Sequence, residues 1–198
     1  RGVREALIRP ELISGNVAAL HHAADAPEAM LVVKGDGYGH GLVTAARAGL
    51  DAGATWLGTA DIDEAMALRG AGIDAPVLAW LIGPDQDLSD AVDQRVSLGL
   101  SSVGQLDQVV AAGSATTTPR IHLEVDSGMG RGGVVESDWE EMLQRTAQEV
   151  RRGALVLEGV FTHLSLKSAE SDSTQLERFD RFLALLDSHN LQPEVIHS

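Results

Sequence analysis

Seven short β-rich runs, separated by stretches that read as helices, constrain this chain more than any other feature. The runs lie at 30–33, 55–59, 76–81, 95–100, 120–125, 157–163 and 193–197. The helical stretches lie at 42–52, 61–70, 84–92, 102–112, 137–152 and 173–189, and Gly53, Gly113, Gly153 and Asn190 stop four of them. Asp61 with Glu64, and Ser137 with Glu140, have the spacing of a capping box. An earlier helix opens at Pro10 and carries Leu12, Ile13, Val17 and Leu20 as its stripe. His21 and His22 end it and, as neighbours on a helix, face different ways, which reads as solvated. The apolar residues 6–8 ahead of it read as a short edge strand.

Alternation repeated this often implies a parallel sheet, either open and doubly wound or closed as a barrel. Nearly continuous apolar strands imply burial on both faces. The barrel is favoured because polar candidates recur at strand carboxyl ends: Lys34, Trp80, Asp126 with Arg131, His163 and His197. The expectation is an α/β chain forming a TIM (β/α)8 barrel with about seven of its eight strands, in one domain over 1–198. A barrel one strand short leaves open edges, so the remaining unit is expected beyond Ser198.

The net charge of −14 argues against nucleic acid or an anionic membrane as partner, since both need a basic surface. An anionic cofactor must then be held by local groups. The chain has no cysteine, hence no disulfide framework. No apolar run approaches the about 20 residues of a membrane span, and the first ten residues lack a signal-peptide core, so a cytoplasmic location is expected. No histidine pattern has metal-ligand spacing, and no serine–histidine–acid set is recognisable.

The chemistry concentrates at 30–41, MLVVKGDGYGHG. An apolar run ends on Lys34, followed by Gly35, Gly37, Gly39 and Gly41 at alternate positions, with Tyr38, the one tyrosine of the chain, among them. A strand that delivers one lysine into a glycine-rich turn can present an amine to a carbonyl cofactor. The other reading is a surface lysine that ends an ordinary strand. Val33-Lys34-Gly35-Asp36-Gly37-Tyr38-Gly39-His40-Gly41 resembles the pyridoxal-phosphate lysine motif of alanine racemases, V-K-A-D-A-Y-G-H-G, with glycine twice in place of alanine. The resemblance implies that Lys34 holds pyridoxal 5'-phosphate as a Schiff base and that Tyr38 hydrogen-bonds its phosphate. Asp36 and His40 are read as turn structure.

The resemblance covers essentially the whole chain, which corresponds to about the first half of such an enzyme. His122-Leu123-Glu124-Val125-Asp126-Ser127-Gly128-Met129-Gly130-Arg131 resembles the segment H-L-K-V-D-T-G-M-G-R. It implies that Arg131 donates to the cofactor's phenolic oxygen and, with Met129, contacts the substrate, a task suited to a planar guanidinium. The other reading is a loop arginine paired with Asp126. Glu124 stands where many members carry a lysine that becomes carbamylated; as an anion already, it is expected to orient Arg131. Phe161-Thr162-His163 resembles T-H-F and implies that His163 lies near the cofactor ring, rather than being a satisfied core histidine. Ser165-Leu166-Lys167-Ser168-Ala169-Glu170 departs from the family's A-x-A-D-E continuation. Ile196-His197-Ser198 matches the start of H-x-A-N-S and makes His197 a residue of the cofactor's surroundings; Trp80 matches a barrel-wall position near the cofactor, or is plain core.

The function implied is interconversion of L- and D-alanine by two bases on opposite faces, for the peptidoglycan of a bacterium, in a homodimer. Lys34 is one base. The other, in the family, is a tyrosine of the partner subunit's C-terminal domain, and the single tyrosine here is already used. These 198 residues alone are therefore expected to bind cofactor weakly and to racemise poorly. Two alternatives stay open: a non-catalytic barrel that holds pyridoxal phosphate, whose usual motifs are lacking, and a decarboxylase on the same barrel, against which the Y-G-H-G run argues.

Overall fold

The computed structural model describes residues 5–198. Seven strands alternate with helices among them, and the chain divides into two compact units, the first reaching Ala79 and the second Trp80–Ser198.

In the first unit, α1 (Pro10–Ala24) precedes β1 (Met30–Val32), α2 (Lys34–Gly39), α3 (Leu42–Asp51), β2 (Trp56–Thr59), α4 (Ile62–Gly70) and β3 (Val77–Ala79). Pro10 begins α1, as its missing N–H allows. The helix outruns Leu20 and stops at Asp25 in the left-handed conformation (φ 48°). Residues 6–8 form no strand: Leu7 is exposed and no described strand pairs with them. Of the two histidines, His22 is exposed, whereas His21 is half-buried and its Nε2 meets the Ala26 carbonyl at 2.9 Å. The three strands are parallel and pair in chain order, Leu31 opposite Leu57 and Leu57 opposite Val77. Helix α3 lies close against β1 because Gly49 has no side chain; a Cβ there would fall 2.1 Å from Leu31 Cδ2. Asp61 caps α4 by accepting the Glu64 N–H at 2.9 Å, as its spacing predicts.

In the second unit, α5 (Ser89–Asp93) is followed by β4 (Val96–Leu100), α6 (Val103–Ala112), β5 (Arg120–Val125), a 3₁₀ turn (Glu136–Asp138), α7 (Trp139–Arg151), β6 (Val156–Thr162), α8 (Ala169–Ser188) and β7 (Val195–His197). Helix α5 keeps only the end of the expected 84–92 stretch. Ser137 caps nothing; its hydroxyl donates to Asp138 within the 3₁₀ turn. Helix α8 starts four residues before position 173, because Ser168 accepts the Ser171 N–H at 3.1 Å and serves as its cap. Strands β4 to β7 are again parallel and sequential. A doubly wound sheet reverses its strand order at a switch point; neither unit does.

Strands β2, β3, β4 and most of β5 and β6 are buried along their length, as parallel strands covered on both faces must be. One irregularity matters below. Ile121 pairs with Leu157 but His122 pairs with Gly159, so Glu158 is the extra residue of a β-bulge.

Candidate active site

Val33 extends the β1 ladder, its N–H donating to the Gly58 carbonyl at 2.8 Å. Lys34 comes next, half-buried. The four residues after it have φ/ψ of 63/44°, 56/48°, 62/39° and 53/38°, the values of a left-handed helix, so α2 is a single left-handed turn. Such a turn costs about 1–2 kcal/mol for each residue with a Cβ, and glycine at 35 and 37 removes that cost at two positions of four. Asp36 and Tyr38 bear it. The turn is held from several sides. Gly37 N–H donates to the Val33 carbonyl at 2.7 Å and Gly41 N–H to the Asp36 carbonyl at 2.9 Å. Asp36 Oδ1 accepts the Leu42 N–H at 2.7 Å, and His40 Nδ1 meets the Gly37 carbonyl at 2.8 Å. Asp36 and His40 are thus turn structure, as read from sequence. Glu64 reaches across from α4, accepting the Asp36 N–H at 3.1 Å and the Ala60 N–H at 3.2 Å. Sequence reasoning gave Glu64 only a capping task. Tyr38 is 61% exposed. The first unit therefore brings together Lys34 and Tyr38, an amine and a phenol on one strained, braced turn.

The second unit carries the other candidates. Strands β5, β6 and β7 are neighbours, so their carboxyl ends lie side by side. After β5 the chain makes a closed loop. Asp126 Oδ1 accepts the N–H groups of Gly128 (2.9 Å) and Gly130 (3.0 Å), and Val134 N–H returns to the Glu124 carbonyl at 2.7 Å. Gly133 permits the return, since a Cβ on it would lie 2.5 Å from the Asp126 nitrogen. The loop displays Met129, half-buried, and Arg131, exposed. Arg131 is not paired with Asp126, whose carboxylate is spent on the loop. Nor does it pair with Glu124, against the expectation from sequence: the Glu124 carboxylate takes the Ser101 hydroxyl at 2.7 Å and forms no ion pair among the described residues.

His163 follows β6 and is exposed, so it is no core histidine. Trp80, directly after β3, is half-buried. His197 ends β7 with its ring stacked on Phe161, centroids 4.9 Å apart. Its Nε2 lies 3.0 Å from His122 Nδ1. His122, wholly buried, has its Nε2 3.4 Å from Glu158 Oε2, and Glu158 also takes the Ser97 hydroxyl and the Arg120 guanidinium. Burial works to raise the Glu158 carboxyl, but the bonds from His122, Arg120 and Ser97 and the charge of Arg120 outweigh it and hold the pKa down at about 2. Burial, and next the neighbouring His122, push His197 down to about 4. Sequence reasoning missed this network. Its signal was a lone carboxylate inside the apolar run 155–160, which demands a partner.

Each unit by itself holds a group that suits pyridoxal phosphate. A lysine amine condenses with an aldehyde, and an arginine with its guanidinium exposed accepts an anion despite the acidic chain. Among the described residues, no three histidine, aspartate or glutamate side chains are placed to hold a metal ion.

Comparison with known proteins points the same way. A family model described as alanine racemase, N-terminal domain, matches residues 8–198. The alanine racemase of Thermobifida fusca is 46% identical over 197 residues, 98% of this chain and 53% of that protein. That of Salinispora tropica is 43% identical over 199 residues, again 98% and 53%. Among solved structures, the alanine racemase of D-cycloserine-producing Streptomyces lavendulae superposes with a TM-score of 0.91 at 35% identity, covering 98% of this chain and 53% of that one. The Streptomyces coelicolor enzyme gives 0.92 at 35% identity, with 96% and 52% covered. The chain spans about half the length of the curated relatives it matches.

Proposed function

Because this chain belongs to the family of alanine racemase N-terminal domains, we propose that the protein carrying it interconverts L- and D-alanine with pyridoxal 5'-phosphate. The observation that carries this reading is Lys34, half-buried at the carboxyl end of β1, opening a left-handed turn that holds Tyr38 four residues on. The Bacillus anthracis alanine racemase, 32% identical with a TM-score of 0.86, was solved with bound L-Ala-P, which supports an alanine-like ligand here.

In this reading residues 1–198 are one cofactor-binding domain, a family match running through both compact units. The amine of Lys34 takes the cofactor aldehyde, and the phenol of Tyr38 donates to its phosphate. Bound there, pyridoxal phosphate supplies the electron sink that lets the α-proton of alanine leave. The Lys34 Nζ, freed where the amino group of alanine replaces it on the aldehyde, would take or return that proton on one face. Arg131 would donate to the cofactor's phenolic oxygen and to the substrate carboxylate, with Met129 contacting the substrate, and Trp80, His163 and His197 would serve the surroundings of the ring. Tyr38, the one tyrosine of these 198 residues, serves the phosphate in this reading; the resemblance to the family assigns the base for the opposite face to a tyrosine of a partner subunit in a homodimer. A cytoplasmic enzyme supplying D-alanine for peptidoglycan is the role that follows. No helix among the described residues is long and apolar enough to cross a membrane.

The test starts from the whole protein incubated with pyridoxal phosphate and L-alanine. D-alanine appears, borohydride fixes a pyridoxyl group on Lys34, and Lys34→Ala abolishes both. A pyridoxyl adduct with no racemisation by the whole protein makes it a cofactor-holding barrel instead. An adduct on any other residue sinks the reading. The 198 residues alone are expected to take up cofactor and to racemise at least about 10³-fold more slowly, as for loss of a general base.

A further inference from the structure

The buried amide of Gln175 connects the two segments of the second unit that carry His163 and Arg131. Gln175 lies on α8 and is 3% exposed, so its polar atoms need partners within the protein. The Ser165 N–H can only donate, which identifies the amide atom 2.9 Å away as Oε1. Nε2 then faces the His163 carbonyl at 3.3 Å and Ser127 Oγ at 3.4 Å. The direction of each bond follows. Thr162 Oγ1 gives its proton to the Val125 carbonyl at 2.8 Å, so in its 2.6 Å contact with Ser127 it accepts. Ser127 Oγ spends its proton there and is left with lone pairs for Gln175. Gln175, Ser127, Thr162 and the Val125 carbonyl thus form one directed chain, with both hydroxyls 1% exposed.

Only an amide satisfies all three neighbours of this side chain. A carboxylate accepts from Ser165 but donates to neither His163 nor Ser127; an apolar residue gives none of the three a partner, and Ser127 keeps only its bond to Thr162. Gly128 packs beside this side chain: a Cβ there would sit at ordinary contact distance, 3.5 Å, from Gln175 Cγ. Ser127 adjoins Asp126, whose carboxylate shapes the loop displaying Arg131.

We infer that Gln175 is a positioning residue, locking the backbone around His163 to the loop that presents Arg131. The inference rests on the reading that these two side chains face the cofactor. It predicts that the geometry of bound cofactor, rather than the amount bound, responds to Gln175.

The test compares Gln175→Glu, Gln175→Leu and Ser127→Ala with the wild-type whole protein by two measurements. In the cofactor-free protein, NMR follows the histidine rings. The His163 signal moves in all three variants, while those of His21, His22 and His40 in the first unit stay in place. With pyridoxal phosphate, the visible circular dichroism of the bound cofactor changes and kcat falls by about tenfold or more, as misplacement of reacting groups does, while the KM for L-alanine changes less. Ser127→Ala keeps the question answerable should a Gln175 variant not fold. An unmoved His163 ring together with an unchanged dichroic spectrum overturns the inference. A wild type that takes up no cofactor defeats the proposed function instead, and the His163 ring signal still decides the role of Gln175.

Discussion

His122 Nδ1 and His197 Nε2 lie 3.0 Å apart, joining β5 to the end of β7. A single proton fits between two ring nitrogens at that distance, so one ring donates and the other accepts. With His197 held down at about pKa 4 by burial and by His122, its neutral ring is the form present at neutral pH. That ring, stacked on Phe161, is placed by contacts on two sides.

Stability therefore falls with acid in two stretches. Unfolded His197 binds a proton near pH 6.5 but folded His197 only near 4, so between these values the unfolded chain holds more protons and stability drops as pH falls. The loss is bounded at about 3 kcal/mol. Glu158, ordinary at 4.5 and held at about 2 when folded, contributes stability above pH 4.5 that is lost as pH falls towards 2. Melting temperature measured from pH 7.5 to pH 4 is expected to hold until about pH 6.5 and to decline below it. His197→Asn should remove the upper stretch, leaving a decline that begins near 4.5; an unchanged slope above that point contradicts the assignment.

Gly159 makes room for His122: a Cβ on it would lie 2.2 Å from His122 Nδ1. Gly159→Ala is expected to destabilise by roughly 1–3 kcal/mol, the range for forced overpacking of a closed interior. Combining it with His122→Ala should recover much of that loss in urea denaturation. Additive effects of the two substitutions count against the contact.

The left-handed turn predicts an order among its glycines. Gly35→Ala places a Cβ in open space at φ 63° and should cost about 1 kcal/mol. Gly37→Ala adds to the same backbone strain a Cβ 2.9 Å from that of Ala45, and should cost more, about 2 kcal/mol. The motif that this stretch resembles has alanine at both positions, and glycine here relieves the backbone strain that a Cβ would bear. Equal or reversed costs in chemical denaturation would falsify this account.

Glu124 and Arg131 are expected to behave independently. Glu124→Gln keeps an acceptor for Ser101, 2.7 Å away, and breaks no ion pair. It should change stability by less than about 1 kcal/mol and leave the affinity for pyridoxal phosphate nearly as it was. Arg131→Ala should weaken that affinity by about tenfold or more, the worth of a charge-assisted bond to an anion. Titrating cofactor into both variants checks this; a large loss with Glu124→Gln revives a direct link between the two side chains.

Local pattern alone carried the alternation of strands and helices, the lysine ending β1, the turn-forming tasks of Asp36 and His40, and the cap at Asp61. Each of these is decided by residues within a few positions of one another, through steric limits on the backbone and hydrogen bonds to near neighbours. What the sequence could not express is which distant group satisfies a buried polar side chain. Glu158 inside an apolar strand announces a need, but the β-bulge beside it, and the meeting of His122 with a residue 75 positions away, follow from the register of strands that pair only when the chain has folded. The same holds for Glu124, which finds Ser101 rather than Arg131, and for Gln175, whose partners come from two segments, around His163 and at Ser127. A buried amide or carboxylate must be paired somewhere, and packing chooses the partner.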